Sequence, residues 1–157
     1  MYKQFVQCHL EFAVPAWSPW AVGDMDILEK VQKRAVSIVT GLEGKTYEEK
    51  LDELGLTTLR ERRMKLDLVE VFKIINGYNR VDPAIWFNLV GQPVHIVTRN
   101  TMYSKNLVPS RARTEVRRNF FSVRVVLVWN NLPTEVKESR NINIFKTKLK
   151  EIRLTWN

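Results

Sequence analysis

The sequence is poor in the residues that build metal and covalent chemistry. Its 157 residues include one cysteine, Cys8, and two histidines, His9 and His95. A single cysteine excludes an intramolecular disulfide and is typical of a reducing compartment, so we expect an intracellular protein, nuclear or cytoplasmic. No local group of cysteine and histidine suits zinc. Adjacent residues point about 100° apart on a helix, so Cys8 beside His9 favours a buried structural cysteine over a nucleophile–base pair.

Long hydrophobic runs are also missing. No apolar run approaches the roughly 20 residues that cross a bilayer. The first residues, MYKQFVQCHLEF, lack the apolar core of a signal peptide. We therefore expect no membrane partner and no secretion.

The motifs of nucleotide-binding and hydrolytic enzymes are absent as well. There is no glycine-rich phosphate loop and no nucleophile elbow. Two-metal catalysis needs clustered carboxylates, whereas Asp24 and Asp26 stand at a predicted helix start, where the helix dipole explains them. We expect a chain that is not an enzyme on its own, with no cofactor, no metal and no small-molecule substrate.

The charge of the chain is positive and unevenly placed. The formal net charge is +8, and hydrophobic residues make up 45% of the chain. Residues 1–45 and 46–92 are close to neutral, whereas residues 93–157 hold thirteen Lys and Arg against four Asp and Glu. Such an asymmetry indicates a polyanionic partner, and nucleic acid is the commonest one.

Apolar periodicity predicts a mainly helical chain. The longer predicted helices cover residues 2–14, 24–40, 58–76, 119–131 and 143–156. Capping-box spacing at Thr46 and Thr58 and the pair Asp82-Pro83 mark further starts. Residues 92–112 have no helical period and predict an extended or β segment. The expected fold is a small helical bundle, with a neutral part at 1–91 and a basic part at 92–157 packed together as one unit.

Several ordered stretches carry a resemblance. They are HLEFAVPAWSP, the run from ILEKVQKRAVSIVTG to FKIINGYNRVDP, and SRARTEVRRNFFSVRVVLVWNNLPTEVKESRNINIFKTKL. Together, over about residues 2–150, they resemble the C-terminal part of the open reading frame of jockey-like non-LTR (LINE-type) retrotransposons. In that family this part follows the palm of the reverse transcriptase, an RNA-directed DNA polymerase.

The resemblance implies a thumb-like and trailing region rather than a polymerase. The family's Phe/Tyr-Ala-Asp-Asp metal site, fingers and palm are not in this sequence. By analogy, residues 1–91 are the thumb-like part. The implied partners are template–primer or element RNA, and the palm and fingers of the parent protein. A remnant, a fragment and a co-opted product are all compatible with these residues.

The candidate nucleic-acid-binding residues are arginines and lysines of the basic part. Arginine makes forked contacts to phosphate and stacks on bases. The predicted set is Arg111, Arg113, Arg117, Arg118, Arg124, Lys146, Lys148 and Lys150.

The aromatic residues beside these arginines favour the core. Valines accompany Phe120, Phe121 and Trp129 at helical spacing, which indicates packing rather than base stacking. Two alternatives to nucleic-acid binding stay open. One is a helical interaction module that docks on the missing polymerase core and leaves an apolar patch open. The other is an inert retrotransposon remnant.

Overall fold

A computed structural model describes residues 2–90, 105–152 and 154. Within these ranges the chain is mainly helical, as predicted. A π-helical turn at Tyr2–Val6 is followed by ten α-helices. They are α1 (Gln7–Glu11), α2 (Val14–Trp17), α3 (Val22–Ser37), α4 (Tyr47–Glu53), α5 (Leu59–Ile75), α6 (Pro83–Trp86), α7 (Glu115–Arg118), α8 (Phe121–Asn130), α9 (Thr134–Lys137) and α10 (Ile142–Glu151).

The chain forms two compact units, Met1–Leu66 and Asp67–Asn157. The division falls inside α5. The predicted division between residues 91 and 92 rests on charge and sequence character, which are different properties, and it stays a prediction. In the described part of the chain, no helix is both long and apolar enough to cross a membrane.

Local capping explains where several helices begin. Thr46 and Glu49 form the predicted capping box, in which the Thr46 N–H donates to Glu49 Oε2 at 2.7 Å. The Glu61 N–H donates to Thr58 Oγ1 at 3.2 Å at the start of α5. Asp82 Oδ1 accepts from the Ala84 N–H at 2.9 Å ahead of α6. These predicted starts are confirmed.

One carboxylate ties three elements of the first unit together. Glu29, on α3, accepts a hydrogen bond from the hydroxyl of Tyr47, the first residue of α4. Its other oxygen accepts from the Leu59 N–H at 3.0 Å, at the first residue of α5. Gln32 completes the network: its amide donates to the Tyr47 hydroxyl, and it accepts from the Tyr2 hydroxyl at 2.8 Å. The inner side of α3 is therefore largely polar.

The apolar stripe of α3 points outward instead of inward. The periodicity predicts that Ile27, Val31 and Ile38 pack, yet all three are exposed, and Ile38 is 74% exposed. The buried side chains of α3 are Gln32 and Val36. Glu29 and Gln32 draw the opposite face of the helix inward because their hydrogen bonds reach the starts of α4 and α5.

The N-terminal region departs from prediction in three further ways. The predicted single helix over residues 2–14 breaks after Glu11, and Ala13 adopts a left-handed conformation with φ 49°. Trp17 and Trp20 are both exposed, although side chains this large and apolar are expected to be buried. Cys8 is likewise exposed rather than buried, and its thiol contacts the Gln4 carbonyl oxygen.

The core of the second unit is aromatic and joins α5, α8 and α10. Phe72 and Phe145 stack with ring centroids 4.4 Å apart, and Trp129 lies 6.0 Å from Phe145. All three side chains are buried. Aromatic pairs add about 0.5–1.5 kcal/mol beyond the burial of their area, so this trio holds the three helices at one point.

An extended segment packs beside α8. Leu107, in the predicted extended region of residues 92–112, forms an antiparallel bridge with Leu89, which precedes that region. The backbone of Leu107 also pairs with the Asn130 side chain. The amide group of Asn130 accepts from the Leu107 N–H and donates to the Leu107 carbonyl, both at 2.8 Å. Asn130 thus pairs with the backbone as a neighbouring strand would. Residues 91–104 lie outside the described residues.

The sequence predicts the buried side chains of α8 only in part. Phe121 and Trp129, which were expected to pack in the core, are buried, as are Val125 and Val126. Phe120 was also expected to pack, but it is 44% exposed, and Leu127 is exposed as well. Apolar residues occupy nearly every face of this segment, so spacing alone does not select the inner one.

The last helix was predicted to reach residue 156, but α10 ends at Glu151, and residues 153 and 155–157 lie outside the described residues.

Candidate nucleic-acid interface

Four of the predicted arginines lie close together in sequence, and all four residues are exposed. Arg111 and Arg113 precede α7 in an irregular segment, and Arg117 and Arg118 are its last two residues. Thr114 begins this helix by accepting from the Arg117 N–H at 3.3 Å. We call these four residues the arginine segment.

The arginine segment keeps its charge available. Within the described ranges, none of its four guanidinium groups lies within ion-pairing distance of a carboxylate. One carboxylate, Glu115, lies inside the segment in sequence. Four cations within eight residues repel one another, and Glu115 offsets only one of the four charges. A phosphate backbone supplies further anions at a regular spacing.

An exposed aromatic ring follows the arginine segment directly. Phe120 is 44% exposed. Its ring lies parallel to that of Trp86, with centroids 6.1 Å apart and an interplanar angle of 6°. The Arg117 guanidinium lies 5.1 Å from the centre of the Phe120 ring. This aromatic and cationic group was not expected from the sequence, because Trp86 lies far from Phe120 along the chain.

The two adjacent phenylalanines have opposite surroundings. Phe121 is buried and meets Phe87 and Trp86 edge to face, with centroids 5.8 and 6.0 Å away. Phe120, one position earlier, lies at the surface. Adjacent side chains at a helix start point in different directions, so two neighbouring rings can differ in burial. No signal in the sequence distinguishes the outer ring from the buried one.

Arg124 is placed differently from the other predicted arginines. Its guanidinium forms a bidentate ion pair with Asp67, in which Nε donates to Oδ2 at 2.9 Å and Nη2 donates to Oδ1 at 3.0 Å. It also donates to the Asn119 carbonyl at 2.9 Å. The two side chains are only 11% and 5% exposed. Burial raises the pKa of Asp67, and the Arg124 fork opposes that rise. We therefore assign Arg124 a structural role.

The three predicted lysines of α10 do not share one face. Lys146 and Lys150 are exposed and stand four positions apart, on the same side of the helix. Lys148 is half-buried and donates to the Glu135 carbonyl at 2.7 Å. It thereby joins α10 to α9.

One further lysine of the basic part lies inside the fold. Lys137 is buried, and its ammonium donates to Asn106 Oδ1 at 2.7 Å and to the Asn130 carbonyl at 3.1 Å. Burial lowers its pKa. The counted excess of positive charge therefore overstates the charge at the surface, because Arg124 and Lys137 both serve the interior.

Neither metal ligation nor a similarity to known proteins adds to this geometry. In the part of the chain that the structure describes, no three His, Cys, Asp or Glu side chains gather as a metal site would require. Comparison with protein-family models, with curated proteins and with solved structures gives no match.

Proposed function

We propose that the chain is a non-catalytic module that binds RNA or DNA through the arginine segment. The observation that carries this proposal is the exposure of four guanidinium groups without a carboxylate partner among the described residues. The resemblance to jockey-like retrotransposons supports the same function, with template–primer or element RNA as the ligand. Lys146 and Lys150 add positive charge on α10. We leave Arg124 out of the proposed surface because its guanidinium is paired with the Asp67 carboxylate.

The test is a binding titration across a salt series with structured RNA, duplex DNA and an RNA–DNA hybrid. Wild type is compared with a variant that carries Arg→Ala at all four positions of the arginine segment. For duplex DNA each neutralised phosphate contributes about −0.9 to the slope of log K against log salt. If each arginine meets one phosphate, the slope becomes shallower by about 3 to 4 in the variant.

A matched control separates local contacts from net charge. Lys3, Lys30, Lys33 and Arg34 are also exposed, lie in the other unit and carry the same total charge. Changing these four to Ala is expected to leave the slope within about one unit of wild type. Equal losses in both variants would mean that only the overall charge attracts nucleic acid. A folded wild-type chain that binds none of the three ligands at low salt would refute the proposal.

A second candidate function rests on the apolar surface of the first unit. Phe12 is 75% exposed, and Ile27 and Val31 on α3 and Ile38 directly after it are exposed as well. Exposed apolar groups in this number are typical of a docking surface. The resemblance names the occupant, the palm and fingers of a parent polymerase. Calorimetric titration with a recombinant palm-and-fingers polypeptide of a jockey-like element tests it, and Ile27→Ser with Ile38→Ser should abolish the binding heat.

A further inference from the structure

The exposed Phe120 ring needs an explanation beyond charge. Its neighbour Phe121 already supplies the buried ring at this point of the fold. Phe120 instead lies at the surface with its plane parallel to Trp86. The two rings, with centroids 6.1 Å apart, form one aromatic surface that is exposed at Phe120.

The surroundings of this ring suit a base. Flat aromatic side chains hold unpaired bases by stacking, and they do so for every base because each has a π-face. Arg117 provides a second planar group at the same place, 5.1 Å from the ring centre. A guanidinium plane also stacks on bases and bonds to phosphate. Arg113 and Arg118 lie within seven residues of Phe120 in sequence and are exposed.

We propose that Phe120, supported by Trp86, is a stacking site for an unpaired base of single-stranded RNA or DNA. The arginine segment holds the phosphates on either side of that base. The proposal rests on the proposed function and narrows its ligand from nucleic acid in general to a strand with an accessible base. Inside a duplex both faces of a base are covered by its neighbours, so duplex DNA reaches the arginines but not the ring.

The experiment compares single and double strands by fluorescence anisotropy. Labelled oligo-uridine and oligo-thymidine supply strands without internal structure, and a mixed-sequence DNA duplex supplies the paired form. The full chain is tested as wild type, Phe120→Leu and Phe120→Trp. Phe12→Leu is the matched control, because it removes an exposed phenylalanine from the other unit.

The expected result is a selective loss. Phe120→Leu weakens binding of the single strands by roughly fivefold to a hundredfold, the range that loss of one stacked base produces. Its duplex binding stays at the wild-type value. Phe120→Trp binds single strands like wild type, and Phe12→Leu changes neither single-strand nor duplex binding.

Other outcomes overturn the stacking site and are distinguishable from failure of the proposed function. If Phe120→Leu binds single strands like wild type while the arginine variant does not, the stacking site is wrong and the arginine surface stands. An equal loss on single and double strands shows that Phe120 only positions the arginines. Wild type that binds no nucleic acid refutes both proposals.

A measurement on the wild-type chain guards against a variant that misfolds. A 5-bromouridine strand is irradiated on the full chain, and the cross-linked peptide is identified by mass spectrometry. The expected cross-link lies on the peptide that contains Phe120. Cross-links confined to other peptides would overturn the stacking site without any substitution.

Discussion

Replacing Arg124 by methionine tests whether this arginine serves the fold or the ligand. Methionine keeps the apolar stem but removes the fork that holds Asp67 at 2.9 and 3.0 Å. Asp67 then remains a buried charge without its partner, and breaking a buried pair in this way costs roughly 3–5 kcal/mol. Two charge-assisted hydrogen bonds at about 1.5–3 kcal/mol each give a consistent sum.

The assay is urea unfolding followed by circular dichroism. With a slope of about 2 kcal/mol per molar urea, the midpoint falls by roughly 1.5–2.5 M. The exposed Arg118→Met is the matched control and should change stability by less than about 0.5 kcal/mol. The penalty of Arg124→Met shrinks as the pH falls, because burial raises the pKa of Asp67 and protonation removes the buried charge.

The double variant Asp67→Leu, Arg124→Met completes the cycle. Removing both charges together should recover most of the lost stability, since an apolar pair can replace a buried ion pair at little net cost. This folded double variant should bind RNA like wild type. Two results would refute the reasoning: a single-variant loss below about 1 kcal/mol, or normal stability of the double variant with lost RNA binding.

Three further predictions concern stability and titration. Asn130→Ala should cost roughly 1–3 kcal/mol and speed hydrogen exchange at the Leu107 amide, whereas the exposed Asn131→Ala should do neither; unchanged exchange would contradict the pairing. Burial, helped by the Glu11 carboxylate, raises the pKa of Tyr2 to about 12. The unfolded chain therefore loses this proton first, and the stability should fall as the pH rises from 10 to 12. Tyr2→Phe should remove that part of the fall, and a pH profile identical to wild type would disprove it. Gly77→Ala should cost about 1 kcal/mol through its φ of +72°, as judged by thermal unfolding, and a neutral effect would show that the turn adapts.

Features that depend on neighbouring residues were predictable from the sequence. The starts of α4 and α6 follow from side chains two or three positions away, as at Thr46 and Asp82. The termination of α5 near Gly77 is equally local. Capping is decided within one turn, so the sequence contains the whole of the relevant information.

Features that depend on distant partners were not predictable. The ion pair of Arg124 joins residues 57 positions apart, and the valines beside Arg124 do not identify Asp67 as its partner. The parallel contact between the Trp86 and Phe120 rings forms only in the folded chain, so the sequence does not predict it. The outward stripe of α3 has the same cause, because the hydrogen bonds of Glu29 outweigh the apolar spacing of the helix.

The double use of Glu29 also bears on how the first unit folds. The same carboxylate satisfies a hydroxyl at the start of α4 and the leading amide of α5, so neither contact persists once α3 unravels. These elements should therefore open as one cooperative group, with closely similar free energies of opening. A shortened version of the chain that starts beyond α3 would leave the Leu59 amide without its acceptor. The smallest independently folding piece of this unit must accordingly retain the helix that carries Glu29.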